Sequence, residues 1–296
     1  MDNNNIIIIN KLEQIPNINS ELNNDFKITI NFSKSFENIL YDFINKNYKQ
    51  KNIYLGLDCK TNIDIIELNF EMYLFFLDCV EKSHDFFLNT NNKNSELKKL
   101  FESFILCENI QTWNFCIVHN VMFNYPFTLN NIIFIPINYL EDNFKSKNTN
   151  NIATTITHEK LHITQRYCEE AWNDYIYNQD NNWIKLNNSN EIFIQIKNNI
   201  INNGTDTNIN ITDENEEFIT NPDTDYDNFK YVYKINNDYY YGNYVYNKIK
   251  KNIYIKYFKL DKDKKKLIKT DEKFKEDHPY EQYAYKISEI ITQYKS

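Results

Sequence analysis

The segment Thr157-His158-Glu159-Lys160-Leu161-His162-Ile163-Thr164-Gln165-Arg166 decides how the rest of the chain is read. His158 and His162 stand four residues apart. On an α-helix that spacing is about 400° of rotation, so both imidazoles lie on one face with their Cβ atoms about 6 Å apart. Two neutral imidazole nitrogens placed this way can reach a single Zn²⁺ at about 2.0–2.1 Å. Glu159, one step from the first histidine, can take a proton from a water whose pKa such an ion lowers to about 7. The chain has 5 His, two of them in this pattern. In a chain of this composition H-E-x-x-H arises by chance roughly 0.6% of the time. The competing readings of the same spacing are two surface histidines on an amphipathic helix and a metal site without catalysis.

Working outward, residues 126–140, PFTLNNIIFIPINYL, hold a β-branched run from Ile132 to Ile135 closed by Pro136. Proline at a strand end predicts an edge strand, because an interior strand uses every N–H. A polar, Asn-rich turn leads into a helix over 149–168, with Thr149 or Asn150 as its cap. Residues 34–120 read mainly helical, from apolar spacing of three and four through Phe36, Leu40, Phe43 and Ile44, then Ile65, Leu68, Met72, Phe75 and Phe76, then Leu97, Leu100, Phe101, Phe104 and Ile105. Ser95 suits the N-cap of the last of these. Residues 1–30 read as a loosely structured arm with one strand.

Downstream of the motif, residues 187–216 are Asn-rich and read as a flexible loop. Aromatic and polar residues alternate over 229–260, as in Phe229, Tyr231, Tyr233, Tyr254 and Tyr257, which predicts antiparallel strands. The cluster Lys262 to Lys266 reads as a solvated hairpin turn. A last helix is expected from Pro279 to about Tyr294, proline suiting the first turn where its missing N–H costs nothing. The expected class is α+β. A mostly helical N-terminal region, 1–120, precedes a catalytic region, 121–296, that carries the flexible loop 187–216.

Composition excludes several classes. Net charge is −8, so no basic surface is expected and nucleic acid is not an expected partner. The five cysteines, Cys59, Cys79, Cys107, Cys116 and Cys168, form no C-x-x-C pair and are odd in number, which argues against a disulfide framework or a thiolate zinc site and for a reducing compartment. The opening MDNNNIIIINKLEQIP has no basic n-region and only four consecutive apolar residues, and Met72–Val80 is too short to span a bilayer. Neither signal peptide nor membrane span is expected, and an intracellular location follows. Gly numbers 3, so Asn and Asp are expected to make turns that Gly usually makes.

Two histidines leave a zinc site short of a third protein ligand. The extension H-E-x-x-H-x-x-G-x-x-H would need Gly at 165 and His at 168, where this chain has Gln165 and Cys168. Without the glycine turn Cys168 is poorly placed. Glu281, in HPYEQYAYKISEI, is the leading candidate: it stands in the first turn of the last helix, with Ala284 on the same face to allow close helix packing. His278 and Asp223 are the others. Glu281 also reads simply as a first-turn carboxylate favoured by the helix dipole. Peptide hydrolysis would further need a donor for the developing oxyanion, and His278, Tyr280 and Tyr285 are the candidates near Glu281 in sequence.

THEKLHITQR, then NPDT at 221–224, then HPYEQYAY resemble a family of zinc metallopeptidases of giant DNA viruses and related microbes, within the gluzincin group. The likeness covers roughly 122–290 in separated blocks. It implies a zincin-like fold, His158, His162 and Glu281 as ligands of Zn²⁺, Glu159 as general base, and a peptide or protein substrate lying along the strand near 131–136. It also implies a host-cytoplasmic or virion location. Glu281 follows His162 by 119 residues, further than in thermolysin-like enzymes. The second function class is a zincin fold kept for binding or structure, virion-associated and without turnover; a third is hydrolysis of a non-peptide amide.

Overall fold

The computed structural model describes residues 29–32, 68–93, 95–105, 112–118, 125–187, 215–218, 231–261, 266–270 and 278–293, with isolated positions between 190 and 196 and at 223. The expected helix through Phe36 to Ile44, most of the N-terminal arm and most of the Asn-rich loop lie outside the described residues. So do Cys59 and Cys107. The chain forms two compact units: Met1–Trp172 with Ala284–Ser296, and Asn173–Tyr283. Among the described residues there are six helices and two sheets.

The first unit holds β1 (Thr29–Phe32), α1 (Phe70–Lys93), α2 (Ser95–Ile105), β2 (Thr112–Val118), β3 (Phe127–Leu129), β4 (Ile132–Pro136), α3 (Ile137–Lys145) and α4 (Thr149–Tyr167). Its sheet runs β1-β2-β4-β3, with β1, β2 and β4 parallel and β3 antiparallel to β4. Two expectations change here. The run Ile132–Pro136 is not the edge: it lies between β2 and β3, buried over its whole length. Its unbroken apolar sequence is what a strand covered on both faces needs. Pro136 is tolerated inside the sheet because it ends the strand, two residues beyond the last β3 pair, Phe127 with Phe134. The edge is β3, joined to β4 by Asn130–Asn131, with Asn130 in left-handed backbone at φ 54. The hairpin after β7 uses Asn236 at φ 55 in the same way, so Asn does take glycine's place; Lys147 and Lys251 share that conformation.

The second change is the cap of α4. Asn148 caps it, its side-chain oxygen accepting from the Asn151 N–H at 3.1 Å, in place of Thr149 or Asn150. Thr149 instead accepts a hydrogen bond from Lys82 of α1. The core of this unit gathers Phe76, Cys79 and Val80 of α1, Phe115 and Ile117 of β2, Ile133 and Ile135 of β4, and Ile152 and Ile156 of α4. Phe76 meets Phe115 edge-on at 4.9 Å between centroids.

The second unit contains a six-stranded antiparallel sheet in the order β10-β9-β8-β7-β5, with β6 also on β8. Its strands are β5 (Trp183–Lys185), β6 (Glu216–Phe218), β7 (Tyr231–Ile235), β8 (Asp238–Asn247), β9 (Asn252–Asp261) and β10 (Lys266–Lys269). The expected aromatic alternation builds strands at Tyr231, Tyr233, Tyr254 and Tyr257, and Lys266 pairs with Asp261, while Phe229 and residues 262–265 of the expected lysine turn lie outside the described residues. Tyr241, Phe258, Leu260 and Leu267 form one apolar face. α5 (Glu169–Gln179) follows α4, and α6 (Pro279–Gln293) starts where the second unit ends and continues into the first.

No helix among the described residues is long and apolar enough to cross a membrane.

Candidate metal centre

α4 is buried on all sides from Ile156 to Gln165, although seven of those ten residues are polar. Each polar group so placed needs a partner, since an unmatched buried polar group costs several kcal/mol by order of magnitude. On the side facing α1, Thr157 Oγ donates to the Ala153 carbonyl at 2.7 Å and lies 2.8 Å from Ser83 Oγ. Thr164 Oγ donates to the Leu161 carbonyl and accepts from Trp172 Nε1 at 3.0 Å. The Lys160 ammonium, on a side chain 1% exposed, lies 4.8 Å from the centroid of the Trp113 ring, a cation–π contact. That charge and, above all, burial push the nearby His84 down to about 4.

The remaining face carries the two motif histidines. Their Nε2 atoms are 3.0 Å apart and their rings are nearly perpendicular, at 82°. His162 Nδ1 is 2.7 Å from Gln165 Oε1. An amide oxygen only accepts, so Nδ1 carries the proton and the lone pair of His162 lies on Nε2, directed at His158. This outer hydrogen bond is how a protein sets the tautomer and tilt of a metal-binding imidazole.

Glu281 completes the cluster. The ligand atoms of His158, His162 and Glu281 all lie within 4.8 Å of one another. Ligands at 2.0–2.1 Å around a tetrahedral ion stand about 3.3–3.4 Å apart. The 3.0 Å between imidazole nitrogens and the 4.8 Å limit for the set bracket that value. His162 is 0% and Glu281 4% exposed, so a carboxylate is taken out of water beside the two imidazoles. Two imidazole nitrogens and a carboxylate converging on one point are a donor set that fits a divalent cation. These three residues could hold a metal ion.

Neither Asp223, in a partly buried turn, nor His278 nor Cys168 joins this group. Cys168 closes α4, and its thiol donates to the Ser103 carbonyl at 3.7 Å. Glu159 is 3% exposed, on the same helix, one residue on from His158. Burial raises the Tyr139 hydroxyl; its bond to Thr155 opposes this, and the Glu159 charge adds to it.

The chain matches no protein-family model, and comparison with curated proteins and with solved structures gives no match either.

The three candidate oxyanion donors separate clearly. His278 and Tyr280 are buried, 2% and 5% exposed, and pack on Tyr231, with the Tyr280 N–H donating to His278 Nδ1. Tyr285, one turn after Glu281 on α6, lies with its ring centroid 4.3 Å from that of His158 and is 49% exposed. Arg166 donates to the Thr128 carbonyl at 3.1 Å and the Asn130 carbonyl at 3.2 Å, tying the end of α4 to β3. Sequence reading gave Gln165 no role. The signal was its position three residues after a candidate ligand, within reach on the same helix face.

Proposed function

We propose that the chain is a zinc-dependent metallopeptidase with gluzincin-type ligands, His158, His162 and Glu281, and Glu159 as general base. The observation that supports it is the convergence of the three ligand atoms within 4.8 Å, with one imidazole held in the metal-binding tautomer by Gln165. A His₂Glu set is a common catalytic zinc set, whereas structural zinc usually takes four protein ligands and more thiolates. When bound, zinc would polarise the scissile carbonyl and acidify a water. Glu159 accepts the proton of that water and passes it to the leaving amine. Its burial beside His158 suits a carboxylate that must work away from bulk solvent. Tyr285, exposed and against His158, is the donor best placed among the three to meet the developing oxyanion. The fold around the site is consistent with a zincin, with an antiparallel edge strand tied to the helix that carries the motif. The resemblance of THEKLHITQR and HPYEQYAY to viral zinc peptidases points the same way.

Metal analysis and substrate profiling test this reading together. The purified full chain is expected to bind about one zinc, as a three-ligand site does. The metal is retained in Glu159→Gln and lost in His158→Ala and Glu281→Ala. Cleavage of a peptide library is chelator-sensitive and absent in Glu159→Gln. Wild-type activity in Glu159→Gln would sink the mechanism. Stoichiometric zinc without chelator-sensitive cleavage of any peptide would leave a metal-binding protein that does not hydrolyse peptides.

A further inference from the structure

We infer that the Tyr285 ring, as distinct from its hydroxyl, is a positioning element of the metal centre: it holds the His158 imidazole with Nε2 turned toward the point shared with His162 and Glu281. The inference rests on the metal-centre part of the reading above and needs no cleavage to be tested.

Glu281 and Tyr285 stand four residues apart on α6, as His158 and His162 do on α4. That spacing puts each pair on one face of its helix, about 6 Å apart along the axis. α6 therefore offers two side chains to the centre. Glu281 brings its carboxylate to the imidazole nitrogens, and Tyr285 packs its ring against His158. The centroids of those two rings are 4.3 Å apart with planes tilted by 44°, closer than the 4.6 Å between the two ligand rings themselves. Such a separation, at the short end for aromatic pairs, is direct contact. His158 is 9% and Tyr285 49% exposed, so the tyrosine covers the imidazole with one part of its ring and leaves the rest in solvent.

An imidazole turns about its Cβ–Cγ bond over a broad, nearly two-fold well, so helix spacing alone does not aim its nitrogens. His162 is aimed by Gln165. His158 meets His162 Nε2 at 3.0 Å through its own Nε2. Because His162 carries its proton on Nδ1, the proton in that contact belongs to His158. A cation held by both nitrogens requires the proton to leave, and the hydrogen bond between the imidazoles goes with it. The contact with Tyr285 contains no proton and does not depend on that loss. Turning His158 out of line would drive an edge of the imidazole into the tyrosine ring. An imidazole that has given its lone pair to a cation is also electron-poor, which strengthens its attraction to the tyrosine π system.

The test uses the full chain, metal-free and titrated with zinc. Competition with a chromophoric chelator compares the wild type with Tyr285→Phe and Tyr285→Leu, and circular dichroism shows that each is folded. At a half-exposed position neither change opens a cavity in the core. Tyr285→Phe keeps the ring and is expected to bind zinc within about twofold of the wild type, whereas Tyr285→Leu is expected to bind about tenfold more weakly, the worth of one aromatic pair. The contact itself is read by NMR of the metal-free, histidine-labelled protein. The His158 ring protons, assigned by their loss in His158→Gln, are expected upfield in the wild type and in Tyr285→Phe, and unshifted in Tyr285→Leu. Equal affinity of the wild type and Tyr285→Leu overturns the inference. A loss in Tyr285→Phe as large as in Tyr285→Leu overturns it too, because it assigns the effect to the hydroxyl. Unshifted His158 protons in the wild type overturn it even if neither variant folds. None of these arms reads cleavage, so failure of the peptidase reading leaves them standing. Absence of zinc binding by the wild type is a different outcome, which removes the metal centre and this inference with it.

Discussion

Replacing Gln165 by Leu tests the metal centre from its outer side without touching a ligand. Gln165 and His162 are both 0% exposed, and the bond between them is 2.7 Å. Leucine fills similar volume but leaves the Nδ1–H of His162 buried without an acceptor, at a cost of about 1–3 kcal/mol. The ring can escape that cost by moving its proton to Nε2, where His158 Nε2 lies 3.0 Å away and can accept it. In that tautomer the lone pair needed for the ion is gone, and metal binding must reverse the shift. The same 1–3 kcal/mol then appears as about 10–100-fold weaker zinc affinity, the range expected for loss of a hydrogen bond behind a ligand. The assay is competition with a chromophoric chelator at neutral pH, with circular dichroism of the metal-free proteins to show that both are folded. Gln165→Glu, which restores an acceptor, should bring affinity back to wild type or tighter. If Gln165→Leu binds zinc as tightly as wild type, the tautomer argument is wrong, and with it the strongest reason for calling His162 preorganised.

Two further predictions concern stability. His84 is held at about 4, against 6.5 for a free imidazole, by burial first and by Lys160 second. A lowered folded-state pKa means that the contribution is complete above pH 6.5 and is lost as pH falls toward 4, to a total of about 3 kcal/mol. Urea unfolding of the chelated protein at about pH 7 and about pH 5 should show this loss, and His84→Gln should reduce it; an unchanged pH slope would refute the assignment. In the second unit Glu216 and Lys256 form an ion pair whose side chains are 6% and 4% exposed, with the Tyr254 hydroxyl also donating to Glu216. Glu216→Ala leaves a buried ammonium uncompensated and should cost about 3–5 kcal/mol, whereas Glu216→Leu combined with Lys256→Met should cost less than either single change; additive losses in denaturant titrations would argue that the pair is solvated.

What could be read in advance divides along physical lines. The two helices that carry the ligands were legible because capping residues, proline at the first turn and spacing of four are local signals, and α4 and α6 begin within a residue or so of where those signals place them. The strands of the second unit were legible from alternation of aromatic and polar residues. Strand order was not. Whether Ile132–Pro136 lies at an edge depends on Phe127–Leu129 and on Thr112–Val118, which pair with it on its two sides. Proline at a strand end is equally compatible with an edge and with an interior strand that simply stops. The partners of Arg166 were illegible for the same reason: backbone carbonyls carry no residue signature, and the sequence offers only acids as visible partners for a cation.

The burial of α4 bears on the function more directly than the motif does. An amphipathic surface helix with two histidines would leave its polar face in water, and that was the chief rival reading. Here the polar face is inside: His162, Gln165, Thr157 and Thr164 are each 0% exposed, and Lys160 and Glu159 nearly so. Thr157, Thr164, Lys160 and Gln165 have local partners that account for their burial. Those partners do not account for why Glu281 is brought from 119 residues away to stand beside two imidazoles. Apolar side chains at these positions would pack as well and spare the desolvation of a carboxylate. A cation among the three ligand atoms removes that objection, because coordination offsets the desolvation of the carboxylate. Metal binding and folding of this region should therefore be coupled: chelation ought to lower the melting temperature, and His158→Ala, which removes one ligand, ought to make melting insensitive to added zinc.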